Sequence, residues 1–338
     1  MSIGSELTAD LPLAEETVEA GLPAGIGPYR LAWRRLRRNR VALFFGGVFI
    51  LLVIICLLAP VYAHDIAHMG PDGGSPTTQI KVGGKSEFVT NAVGVPIGPT
   101  WSFTNYFLGA DELGRNEAVR LLYGGRNSLE IGLVAMLITM VLGTMLGVIA
   151  GYFRGFADGL ISRVSDVIWS YPAVLLGITL GTVLNQRGLL FLHSTTLLTT
   201  AVVVGFVYIP YVVRPIRAQV LTLREREFVD AARQQGLGSV RIMFAEILPN
   251  LSSTIIIFVP LILANAILLE AALSYLGAGV QPPNSTWGTM LQEGLGLFPG
   301  AFHMVLVPGA MLVLTVMSVN IFGDGMRDAL DPRSRAAA

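Results

Sequence analysis

Four sets of side chains in this 338-residue chain stand out for the ligands or reactions that their spacing would support. His64 and His68 lie at i, i+4 in His64-Asp65-Ile66-Ala67-His68. On a helix that spacing can hold zinc from one face. Asp65 stands where a metalloprotease helix carries its glutamate base, and no third ligand is in view, so we assign no metal site there. Gly84-Lys85-Ser86 resembles the end of a phosphate-cradling GxxxxGK[ST] loop, but Gln79 occupies the position that must be glycine. The chain is therefore not expected to hydrolyse ATP itself or to be an enzyme. Asn265, Glu270 and Asn320 are polar residues in otherwise apolar runs. Ionisable groups at membrane depth are costly, so they are candidates for a translocation path, or else pair between helices.

The fourth set is a polar island, Glu227–Asn250, reading EFVDAARQQGLGSVRIMFAEILPN. Residues 224–235 combine good helix formers with charges and lack proline, which predicts a helix. Gly236-Leu237-Gly238 should end it, since glycine accepts a left-handed backbone. Ser239 is placed to cap a second helix. Val240, Met243, Phe244, Ile247 and Leu248 then fall on one apolar helical face, until Pro249 stops that helix or opens the next.

The elements that must position these residues are membrane spans. The chain is 53% hydrophobic and only 14% charged, with a mean hydropathy of +0.63. Soluble domains carry about 25% charged residues. The net charge of zero decides nothing by itself. Cys56, the single cysteine, excludes a disulfide within the chain and a cysteine zinc cluster. Six apolar runs reach the roughly 20 residues that cross a bilayer. They lie near Val41–Ala59, Leu129–Ala150, Val167–Leu184, Leu197–Val213, Thr254–Ala271 and Phe302–Phe322. Tyr171-Pro172 and Ile209-Pro210 interrupt the third and fourth. With the N-terminus cytoplasmic, seventeen of the 23 Lys and Arg residues fall inside and six outside, as the positive-inside rule requires. That orientation puts the polar island in the cytoplasm.

The expected organisation is an all-α membrane protein. Residues 1–28 form an acidic, disordered cytoplasmic tail that lacks the make-up of a cleavable signal peptide. Residues 29–59 join a basic juxtamembrane helix, with Trp33 as interfacial anchor, to the first span. The basic tract YRLAWRRLRRNR precedes an apolar run, which points to lipid and not to nucleic acid. Residues 60–124 form an outer loop whose β-prone Ile80–Val82 and Phe88–Thr90 read as a small hairpin or an ordered loop, and which turns helical and amphipathic from Phe107. Residues 125–326 form the core, with the polar island at 224–250, and 327–338 a cytoplasmic tail.

The polar island resembles the EAA loop of permease subunits from binding-protein-dependent ABC importers. That pattern is Glu-Ala-Ala, glycine six residues after the Glu, and a closing Ile-x-Leu-Pro. Asp230, Ala231, Ala232, Gly236, Leu248 and Pro249 fill it, with Asp230 replacing Glu and Glu246 standing in the Ile slot beside Ile247. Glu270-Ala271-Ala272 repeats the opening but has Leu276 where the glycine belongs. WRRLRRNR, LGADELGRNEAVRLLYGGRNSL (108–129), EAALSYLGAGVQPPNSTWGTML (270–291) and NIFGDGMRDALDPR (320–333) are similar to the C-type subunit of the dipeptide/oligopeptide/nickel class. The insert around Gly70–Thr100 is longer than the family usually carries.

The resemblance implies a six-helix, type I importer (MetI-like) fold with both termini cytoplasmic, in the inner membrane of a prokaryote. It implies a second homologous permease as heterodimer partner, two ATP-binding subunits that hold ATP and Mg, and an extracytoplasmic substrate-binding protein. No cofactor on this chain is implied. Asp230, Ala231, Ala232, Gly236, Met243, Phe244, Leu248 and Pro249 would carry the coupling, with Met243 and Phe244 entering a cleft on an ATPase subunit. Peptides are the expected cargo, with nickel or another small solute of the class as the alternative. A secondary transporter would show inverted repeats or several intramembrane charges, and neither is present. A membrane hydrolase would need more than His64 and His68.

Overall fold

Several helices start where a side chain satisfies orphaned amides. After α1 (Pro28–Leu36), the Asn39 side chain accepts from the Ala42 amide at 3.0 Å and opens α2 (Arg40–Leu57). The computed structural model describes residues 28–330 apart from 83, 105 and 188–196. The expected N-terminal tail therefore lies almost wholly outside the described residues, as does 331–338; residues 327–330 instead close the last helix. Beyond α2, a π-helical turn at Tyr62–Ile66 leads to an antiparallel hairpin of β1 (Gln79–Val82) and β2 (Lys85–Phe88). The second strand sits earlier than the Phe88–Thr90 expected. The phosphate-loop look-alike, Gly84-Lys85-Ser86, is simply the turn and start of that exposed strand.

Helix does not begin at Phe107. The stretch to Asn116 is a loop, and α3 (Glu117–Phe153) opens where the Asn116 side chain accepts from the amides of Ala118 (3.1 Å) and Val119 (3.4 Å). The amphipathic pattern there reflects burial of a folded loop rather than a helical face. Next come α4 (Gly155–Ser170), α5 (Ala173–Arg187) and α6 (Leu197–Leu223). The third expected span, Val167–Leu184, straddles the junction of α4 and α5, which meet at 95°. Tyr171 is extended, as a residue before proline prefers, so helix cannot pass through Pro172. Ile209-Pro210 does not interrupt its helix: Pro210 and Pro215 both sit inside α6. Dense packing on neighbours holds the helix together there.

The seam between α3 and α6 is the core of the bundle. Gly143, Gly147 and Gly151 recur every four residues on α3, and a Cβ at each would stand 2.7–2.8 Å from Val212, Ile216 or Val220 of α6. Small residues at this spacing let two backbones approach within a membrane, where dispersion contact replaces the hydrophobic effect. The chain continues through α7 (Glu227–Gln234), α8 (Ser239–Tyr275), α9 (Trp287–Leu295) and α10 (His303–Leu330). Among the described residues, α2, α3, α6, α8 and α10 are long and apolar enough to cross a membrane, and the bent pair α4–α5 makes a sixth span if taken as one. The N-terminal α1 is tied to the far end of α10, where Ala32 and Leu36 pack with Ala329, Phe322 and Met326.

Candidate coupling segment and buried polar sites

Helix α7 ends on a specific set of bonds. Gly236 adopts φ +78°, its amide reaches the Arg233 carbonyl (2.9 Å), and the Leu237 amide reaches Ala232 (3.1 Å). This is the paired closure of a Schellman motif, and a Cβ at Gly236 would meet open space, so backbone conformation alone asks for glycine. Val229 and Ala232 face inward, while Asp230 and Ala231 are exposed. Asp230 pairs with Arg233 at 3.0 Å on the surface, a contact of about 0.3–0.5 kcal/mol at most.

The second helix departs from expectation in three ways. Gly238, extended, occupies the cap position, and Ser239 is the first helical residue and makes no capping bond. The helix does not stop at Pro249. A π-helical turn over Ile242–Ile247 runs straight into the remainder of α8, so the segment and the following span are one continuous rod. The expected apolar face is split. Ile242, Met243, Ile247 and Leu251 turn into this chain's own core, whereas Val240 (63% exposed) and Phe244 (54%) point away from it. Met243 is thus filled by its own bundle, and Phe244 is the side chain left free to enter a partner. Glu246 is half-buried and Ile247 fully buried. The wider turn keeps Met243, Ile247 and Leu251 on one side at four-residue steps. Leu248 is half-buried and Pro249 exposed. Together Val240, Phe244 and Leu248 border an apolar groove of about 560 Å3 against Val141, Met145 and Phe153 of α3.

Glu270 is fully buried. The Ser274 hydroxyl donates to its Oε1 (2.8 Å) and the Ser128 hydroxyl to its Oε2 (2.9 Å), while Ser128 Oγ accepts from the Trp287 amide at 3.3 Å. The carboxylate therefore pins α8 to α3 and, through Ser128, to the start of α9. Its cost is met by hydroxyl partners, which is the pairing between helices that stood beside the translocation-path expectation for Glu270. Asn265 is half-buried and its amide donates back to the Leu261 carbonyl (2.8 Å). Asn320 borders a small cleft with Leu261, Asp324 and Arg327.

A charged cluster that residue patterns did not reveal lies where the loop between α2 and α3 meets α9. Asp111 Oδ1 accepts from the amides of Leu113 (3.0 Å) and Arg115 (2.8 Å), folding the loop on itself. Asp111 Oδ2 accepts from Arg115 Nε (2.5 Å) and Arg120 Nη1 (2.6 Å). Arg120 also holds Glu293 of α9, through Nη2 to Oε1 at 3.1 Å and through Nη1 to Oε2. Asp111 and Arg120 are buried. Tyr106, beside them, donates its hydroxyl to the Gly114 carbonyl (2.9 Å), and burial first, then Asp111, raises its pKa. Glu117 is buried among these groups, and neither of its carboxylate oxygens has a hydrogen-bond partner among the described residues. A hint existed in Asp111, Arg115 and Arg120 recurring within ten residues, but the acid that completes the cluster is 173 positions away.

His64 bonds to Asp65 (2.7 Å), His68 turns back to the His64 carbonyl (2.9 Å), and no group of three potential metal ligands occurs among the described residues.

Comparison with known proteins bears on the whole arrangement. Residues 143–336 match the family described as binding-protein-dependent transport system inner membrane component, and 27–74 match the N-terminal transmembrane domain of oligopeptide transport permease C. The chain is similar to the di/tripeptide transport system permease protein DppC of Pseudomonas aeruginosa, 35% identical over 315 residues, which covers 92% of this chain and 94% of that one. It is similar also to the glutathione transport system permease protein GsiD of Salmonella typhimurium, 35% identical over 310 residues, 90% of this chain and 91% of that one. An inward-facing structure of the MetNI methionine ABC transporter superposes with a TM-score of 0.52 at 17% identity, over 63% of this chain and 96% of that one. That likeness concerns the fold alone.

Proposed function

The chain belongs to the binding-protein-dependent transport system inner membrane components, the non-catalytic membrane subunits of ABC importers, and on that premise we propose that it carries di- or oligopeptides across a prokaryotic inner membrane. It forms half of the pathway with a second, homologous permease. A binding protein delivers cargo on the outer side, and two ATPase subunits, which hold the ATP and Mg, bind on the side of α7. The relatives that span nine-tenths of this chain are named for di/tripeptide and glutathione transport, and glutathione is itself a peptide.

One observation carries the coupling role: Phe244 and Val240 stand bare on a helix that continues without a break into a membrane span. A push on Phe244 is delivered to α8 as a rigid body, because a helix transmits displacement along its axis and a loop does not. Asp230, Ala231, Ala232 and Gly236 set the angle of α7 against that rod, Met243 and Leu248 fix it to the bundle, and Pro249 lies in its course. Ala231→Arg places a long charged side chain on the exposed face of α7. In the assembled transporter this variant should insert normally but lose most ATPase association in a pull-down. Full association with cargo-stimulated ATP turnover intact would defeat the reading.

A further inference from the structure

On three helices the face that would meet lipid is plain. Val41, Phe44 and Ile50 of α2, Leu133 and Leu137 of α3, and Leu306 and Val313 of α10 are exposed and uncharged. The face shared by α4 and α6 differs. Starting at the end near α7, Arg154 pairs with Glu225, Asp158 with Arg217, and Asp166 with Arg214 (2.8 Å). The Arg214 guanidinium lies over the Trp169 ring at 4.3 Å, Trp169 stacks on Tyr211 at 4.1 Å, and Tyr211 meets Tyr208 at 5.2 Å. The series ends beside the 95° break, next to exposed Tyr171.

This is a stripe along a helix, not a belt at one depth. Its exposed part, from Arg217 to Tyr211, covers about 9 Å of helix axis at ~1.5 Å per residue, whereas one headgroup layer is roughly 5–8 Å thick, and Tyr208 lies buried at its inner end. A charged pair that accompanies the aromatic side chains inward faces a water-filled cavity, because lipid would penalise the charge. The Asp166 and Arg214 side chains are 60% and 45% exposed within this chain.

We propose that this stripe is the chain's own cargo-contacting surface and that it takes zwitterionic short peptides. An exposed ion pair contributes little to the fold, so Asp166 and Arg214 can part at low cost. Arg214 then receives the peptide carboxylate through two parallel N–H bonds. Asp166 receives the peptide ammonium, with the faces of Trp169 and Tyr211 providing cation–π attraction. The buried Asp111–Arg120 pair has no such freedom, since separating it would strand charge in the interior. The assignment rests on the peptide-importer reading above.

The test uses the assembled transporter with its binding protein in proteoliposomes, and dialanine as probe. Arg214→Gln and Asp166→Asn should each lower dialanine uptake per ATP hydrolysed about tenfold, the loss of one charge-assisted contact, with subunit assembly unchanged. In parallel, Trp169→Cys, Tyr211→Cys and the lipid-facing control Leu137→Cys are treated with a hydrophilic thiol reagent; the native Cys56 is fully buried and stays silent. Residues 169 and 211 should react at least tenfold faster than 137, and dialanine with ATP should slow them. Reaction no faster than at 137 overturns the stripe whatever the cargo is. Fast reaction with an unchanged uptake-to-ATP ratio overturns cargo contact. An unsubstituted transporter that refuses dialanine defeats the peptide reading and the zwitterion assignment with it, while the thiol rates still report separately whether the stripe is wet.

Discussion

The charged cluster around Arg120 and the segment proposed to couple treat their polar and apolar side chains in opposite ways. Asp111, Arg115, Arg120 and Glu293 turn their charges largely into the chain, each with two charged partners. At α7 and the start of α8 the best anchor, Phe244, is left uncovered, and the one ion pair there lies on the surface. A region that completes itself holds a shape, and a region left incomplete is shaped for something else. The contrast predicts that substitutions in the first will act on stability and in the second on assembly.

The largest effect on the fold should come from Arg120→Met. It leaves Asp111, which is fully buried, without its Arg120 bond, and Glu293, whose side chain is one-fifth exposed, with only the longer contact to Arg115. Breaking one side of a buried pair costs about 3–5 kcal/mol. Purified protein should lose its helical CD signal at a markedly lower temperature, and an unchanged melting curve would erase the contrast. Glu270→Ala comes next. It strands the Ser128 and Ser274 hydroxyls and opens a small void, worth about 2–3 kcal/mol, while Glu270→Gln, which can still accept from one hydroxyl, should lose less. Transport lost at unchanged stability would favour the translocation path over a purely structural pairing.

How much of this the residues announce depends on the distance between partners. The spans were legible because about 20 apolar residues in a row satisfy their backbone only as helix. Gly236 was legible because a left-handed turn has a local signature, and the structure closes α7 there. Tyr171-Pro172 gave away a break but not its 95° angle, which depends on what α4 and α5 rest against. Ser239 looked like a cap because its side chain can serve as one; Gly238 took the position because the preceding turn needs its backbone extended. The apolar face of the second helix was misjudged because α-helical spacing does not hold through a π-turn. Glu293 and Arg120 had no local signal at all, since 173 residues separate them.

Gly236→Ala sharpens the contrast from the other side. Nothing lies within 4 Å of the missing Cβ, so the loss is the backbone term alone, about 1–2 kcal/mol for a non-glycine residue held left-handed. Thermal unfolding should show a small shift, and Gly236→Asn a smaller one, because asparagine tolerates that conformation.

The smallest effect on the fold, and the one on which the comparison turns, is Phe244→Ala. Its ring is more than half exposed and contributes to one wall of an open groove, so removing it should change stability by no more than about 0.5 kcal/mol. A partner that buries the ring would lose far more, since aromatic anchors seated in a pocket cost about 2 kcal/mol or more on truncation. The expected result is an unchanged melting curve together with roughly thirtyfold weaker capture of the ATPase subunit, a factor that corresponds to that same loss. Met243→Ala should do the reverse, because Met243 is packed among Ile242, Ile247 and Leu251 inside this chain: a lower melting temperature, with capture reduced only as far as folded protein is lost. If both variants fail in the same assay, the two sides of this helix are not separate in function, and the division between self-completed and partner-completed regions does not hold at the point where it is drawn most finely.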